Sequence, residues 1–183
     1  YVRASQWHEA SGDPDAAIEY PIQASDFDRA ASLIEQTAQR LIAHGRLTTL
    51  LRWLDALPAT VLRAQPRLCL YKGWALNLSG QIDAAELILQ DTKSTLQSLP
   101  ASPDDDALRG ELAALLTGIA TLREETATVI QEAQEALSYL PEADRASRAR
   151  VYVALGTGYA YEHNQEGKPE TWQIAGHMAP EAE

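Results

Sequence analysis

The sequence predicts an all-α chain, a solenoid of antiparallel helix pairs with about nine helices. Three observations lead there. Ala and Leu supply 31 and 24 of the 183 residues, against five Val and one Phe, which suits helices and not strands. Apolar residues recur at helical spacing almost throughout. The connections are mostly two to four residues long, which makes neighbouring helices antiparallel. A run of such pairs is the pattern of an α-solenoid.

The elements follow in order. Helices near 3–11 and 14–24 are separated by Gly12, Asp13 and Pro14, and Pro21 kinks or shortens the second. Phe27, Ala30, Ala31, Ile34, Ala38, Leu41 and Ile42 form one stripe over 26–44. Asp26 stands at its N-cap and Gly45 just past its end. Leu47, Leu50, Leu51, Leu54 and Leu57 form the next stripe, closed by Pro58. Pro66 opens a helix that runs to Gly80, and another covers 82–99. Residues 101–106 read as a loop whose carboxylates suit a helix N-terminus. Helices follow over 106–123, 125–140 and 142–162, and 163–183 reads as a loop, a short helix and a tail.

A small pattern recurs along these helices. Gly12 is followed five residues later by Ala17, Ser25 by Ala30 and Gly80 by Ala85, with Gly45 and Leu50 a looser copy. The turn residue ends one helix, and the small residue lets the next approach closely. Residues 66–100 come closest to a complete tetratricopeptide (TPR) unit. There Gly73, Leu76, Gly80, Ile82, Ala85 and Leu89 take the motif's places. The expected architecture is therefore a right-handed, TPR-like superhelix over 1–162.

Composition excludes several functions. One Cys cannot pair within the chain, and no apolar run reaches the length of a membrane span. The net charge of −11 disfavours direct binding of nucleic acid. That charge is uneven. Residues 101–183 hold 6 basic and 15 acidic side chains, a net of −9. Residues 40–72 hold six basic side chains against Asp55 alone, a net of +5. A basic band of Arg46, Arg52, Arg63, Arg67 and Lys72 could steer an acidic ligand or surface. The chain opens on Tyr1 without an export signal, as expected of a segment of a longer protein. The lone Cys69 fits a reducing cytoplasm.

Catalytic constellations are absent. His8, His44, His163 and His177 lie far apart, and Cys69 sits on an apolar stripe beside Leu68 and Leu70. No enzyme activity, metal site or cofactor is expected of the segment. Trp7 and Trp53 are expected in the core. Trp74 follows Gly73 on a helix whose inner face points to a solenoid's groove. The same frame selects Arg67, Leu70 and Asn77, then Glu111 on a later helix and Arg150 on the last. An aromatic ring with a few aimed polar groups is how small-molecule and peptide pockets are built.

Several segments resemble a known family. They are Arg3, Trp7 and Gly12; Ala16 to Tyr20; and Asp26 to Glu35. Leu50 to Pro58, Val61 with Leu62, Pro66 to Leu68, Gly73 to Ala75 and Asp83 to Ala85 continue the likeness. Together they resemble the helical repeat domain of large ATP-dependent LuxR-type (MalT-like) transcription regulators. The resemblance covers about 1–162. It implies a nucleotide-binding module before this region and a helix-turn-helix DNA-binding domain after it. The repeats would sense an inducer or bind a partner, including other domains of the same regulator, and control self-association into homo-oligomers. No Gly-x-x-x-x-Gly-Lys-Ser/Thr loop occurs in the chain, so ATP would bind elsewhere. The other expectation is a general TPR-like protein-interaction scaffold with no small-molecule ligand.

Overall fold

A computed structural model describes residues 14–98 and 102–166. The helix expected near 3–11 and the tail from 167 lie outside them. Every described element is helical: α1 (Pro14–Gln23), α2 (Phe27–Ala43), α3 (Leu47–Ala56), α4 (Ala59–Arg63), α5 (Pro66–Leu78), α6 (Ile82–Ser98), α7 (Pro103–Leu122), α8 (Thr126–Tyr139) and α9 (Arg145–Glu166). No strand occurs among the described residues.

Three boundaries differ from expectation. The five-residue α4 fills what read as a connection, because Pro58 opens a turn whose N–H acceptors are its own carbonyl and those after it. Helix α7 begins at Pro103 and shortens the expected loop. Ser102 Oγ accepts the Asp105 N–H at 3.2 Å, and proline is suited to the first turn. Helix α9 starts at Arg145 and runs to Glu166, four residues past the expected end. Asp144 Oδ1 accepts the Ser147 N–H at 3.1 Å at its start. No Gly or Pro interrupts 159–166.

The same turn closes four helices. Ser25, Gly45, Gly80 and Glu124 all have positive φ, between 58° and 76°. In each case the next residue's N–H reaches back to a carbonyl five residues earlier. The bonds are Asp26 to Pro21 (2.9 Å), Arg46 to Leu41 (2.8 Å), Gln81 to Leu76 (2.9 Å) and Glu125 to Ala120 (3.0 Å). Five residues after each turn residue comes a buried side chain: Ala30, Leu50, Ala85 and Val129. Three of these places were legible in the sequence. The fourth was hidden because a glutamate holds the left-handed position, where glycine or serine would signal it.

The chain divides into two compact units, residues 1–95 and 96–183, with the boundary inside α6. In the first unit, α1, α2, α3 and α5 pack around a core that includes Ile34, Leu50, Trp53, Leu54 and Leu68. Gly73 of α5 faces Leu89 of α6 so closely that a Cβ there would lie 2.5 Å from Leu89 Cδ2. In the second unit, α8 packs on α7 and on α9 over Ala113, Ala133, Ala136, Val151 and Leu155. A Cβ at Gly110, early in α7, would lie 2.9 Å from the backbone N of Leu140, just past the end of α8. One at Gly158, late in α9, would lie 3.0 Å from Ile130, early in α8. Start meets end in both cases, so these pairs are antiparallel.

The turn equivalence makes a prediction of opposite signs. Gly80→Ala puts a Cβ on a left-handed residue and is expected to cost about 1 kcal/mol. Glu124→Gly relieves the same strain and is expected to stabilise by up to about 1 kcal/mol. Urea unfolding of the two variants checks this, and shifts of the same sign would refute it.

Candidate functional site

Helix α5 carries four of the six expected groove residues. Trp74 and Asn77 lie about one turn apart and are both half-buried. The Oδ1 atom of Asn77 is buried without a hydrogen-bond partner. Arg67 reaches Glu35 of α2, with Nε 3.8 Å from Oε1. Leu70 is corrected: it is fully buried at 0% exposure and offers no surface to a ligand. Its apolar side chain gains by packing inward. The other two residues belong to the second unit. Glu111 is half-buried on α7. Arg150 is exposed on α9, and its Nη2 donates to Ser147 Oγ at 3.1 Å.

The basic band is not a free cationic surface. Arg46 grips Asp15 with both terminal nitrogens, Nη1 lying 3.2 Å from Oδ1. This hydrogen bond raises the Arg46 pKa above its already high ordinary value. Arg52 Nη2 donates to Glu19 at 2.7 Å, and Lys72 Nζ lies 2.6 Å from Asp55. Arg63 Nε stands 3.7 Å from Asp91. With Arg67 on Glu35, all five are paired, four of them to carboxylates more than 25 residues away in sequence. Folding brings α1, α2 and α6 alongside the band, which sequence order could not show. Such exposed pairs add little stability individually. Their main effect is to cancel the local field.

Two arginines of the acidic half are committed to structure. Arg109 is only 11% exposed and donates to Asp106 Oδ1 and to the Leu96 carbonyl, both at 2.7 Å. Arg148 donates to the Leu137 and Leu140 carbonyls at 3.1 and 2.8 Å. It thereby satisfies the open C-terminal end of α8.

Cys69 is buried as expected, and its Sγ–H donates to the Leu62 carbonyl at 3.2 Å, tying α5 to α4. Burial pushes the thiol's pKa up, partly offset by a hydrogen bond with Thr92. Trp53 is in the core at 2% exposure, also as expected. Among the described residues no group of three or more His, Cys, Asp and Glu is placed to hold a metal ion. No described helix is long and apolar enough to cross a membrane. One feature was not foreseen. An open cleft of about 650 Å³ lies in the first unit between α1, α2 and α3, with Asp15, Arg40, His44 and Trp53 among its lining residues.

The described residues form helices without strands, and α7, α8 and α9 pack as close antiparallel neighbours. No protein-family model matches the chain. The sequence is related to that of a transcriptional regulator. Over 148 residues, 81% of this chain, it is 30% identical to the HTH-type transcriptional regulator MalT of Yersinia enterocolitica. It is 29% identical over the same length to the MalT regulators of Yersinia pestis and Yersinia pseudotuberculosis. The chain spans only 16% of the length of these relatives. The distant similarity supports a regulator-related segment.

The thiol's surroundings make a testable statement. Because the raised pKa keeps Cys69 protonated and burial blocks access, labelling by a disulfide reagent at pH 8 should be negligible in the native chain. It should be complete in urea. Rapid native labelling would show that α4 does not cover the thiol.

Proposed function

We propose that this chain is a TPR-like solenoid segment of a LuxR-type, MalT-like transcription regulator, working as a sensor or interaction segment and not as an enzyme. The observation that carries the reading is its similarity to the MalT regulators over 81% of its length. The repeated left-handed turns and the close glycine contacts of the antiparallel pairs support the helical-repeat part of it. On this reading, ATP binding and DNA binding belong to other parts of the regulator. The net charge of −11 agrees with a segment that does not itself bind nucleic acid. The segment acts in the cytoplasm.

The half-buried Trp74 and Asn77, one turn apart, support α5 as a binding face, with Arg67 at its edge. An inducer or partner bound there biases the balance between resting and self-associating states, to the extent that it prefers one of them.

A thermal-shift screen of this chain against sugars, amino acids and nucleotides tests the proposal. One class is expected to raise Tm by about 5–10 °C at a hundred times its Kd, and Trp74→Ala should abolish the rise. No shift with any class, together with saturable binding of a MalT-like nucleotide-binding module, would favour a plain interaction scaffold.

A further inference from the structure

Helix α9 is apolar on two sides. Its inner side, with Val151, Leu155 and Gly158, is buried, and Gly158 faces Val129 and Ile130 of α8. Its outer side carries Ala146, Ala149, Val153, Thr157 and Tyr161, all exposed and spaced by three or four residues along one stripe. Val153 and Tyr161 are the large members, 68% and 61% exposed. A helix that is apolar on both sides is normally covered on both. None of the described residues covers the outer stripe of α9.

The sequence that follows α9 has the pattern of a partner for it. Between 170 and 179, Trp172, Ile174, Ala175, Met178 and Ala179 fall in one half of a helical projection. Glu170, Gln173 and His177 fall in the other half. Gly167 and Pro169 interrupt the pattern before this stretch, and Pro180 ends it.

We propose that residues 170–183 of this chain fold back antiparallel along α9 and cover its outer stripe. Length and charge both fit this occupant. The three residues 167–169 reach about 10 Å, the spacing of packed helices. From there 170–179, taken as a helix, spans about 13 Å, the same rise as from Glu166 back to Thr157. Met178 then stands level with Thr157. Beyond Pro180 each extended residue adds about 3.3 Å, which carries Glu181 and Glu183 past Val153 to Arg150. Arg150 is exposed and donates to the neutral hydroxyl of Ser147 at 3.1 Å. At the opposite end Lys168 comes beside the exposed Glu162. The antiparallel order therefore brings opposite charges together at both ends of an apolar seam.

Paired cysteines in the full chain test the register. Under mild oxidation, Thr157→Cys with Met178→Cys is expected to form an intramolecular disulfide at least about tenfold faster than Thr157→Cys with His177→Cys, because only the first pair shares the seam. The rate should not depend on protein concentration. Hydrogen exchange gives a second reading. Amides of 172–179 should exchange at least about tenfold more slowly than in a free peptide. Thr157→Glu, at an exposed position, should abolish that protection and leave the amides of 149–156 protected. Equal rates for the two cysteine pairs, unprotected amides over 172–179, or protection that survives Thr157→Glu would each overturn the proposal. Disulfides that form only between chains, and faster at higher concentration, overturn it by assigning the stripe to a second copy. The α5 face lies in the first unit, so failure there and failure here are separate results.

Discussion

The fold rests on one local device, a left-handed residue that ends a helix, followed five positions later by a buried side chain that seats the next helix. The hydrogen bond from the following N–H back across the last turn fixes the exit direction of the chain. Once direction is fixed, close approach depends on small residues. A Cβ at Gly110 would meet the backbone of Leu140, one at Gly73 would displace the Leu89 side chain, and one at Gly158 would press on Ile130. Helices this close bury apolar area with short side chains, and this is why alanine and leucine dominate the composition. The cores of both units consist largely of these two residue types.

The device also governs the electrostatics. Stacking helices side by side places carboxylates from α1, α2 and α6 next to the basic band of α3 to α5. A local excess of +5 becomes a set of ion pairs. Charge that read as a partner surface is paired within the molecule, and among the described residues Arg40 is the cation of that stretch with no ion pair.

The α5 face offered above as a binding surface rests on the same geometry. Helix α5 is held by tight contacts on the Gly73 side, so Trp74 and Asn77 are carried on a rigid element. A ligand met by rigid groups loses little entropy in ordering them.

The sequence by itself determined the helical class, most helix boundaries to within a few residues, three of the four repeated turns, and the burial of Trp53 and Cys69. These depend on periodicity, caps and residue size, all of which are local. It misread α4 and the end of α9, where weak start and stop signals were outvoted by neighbouring turns. It missed the turn at Glu124 because the left-handed conformation there is imposed by packing and not by residue type. It placed Leu70 in a groove although the fold buries it. Only the tertiary structure decided which charges were spent and which were left, because ion pairing joins residues such as Arg46 and Asp15 that lie 31 positions apart. The cleft between α1, α2 and α3 belongs to the same class of fact. It is a space between three helices, and no one-dimensional pattern encodes a space.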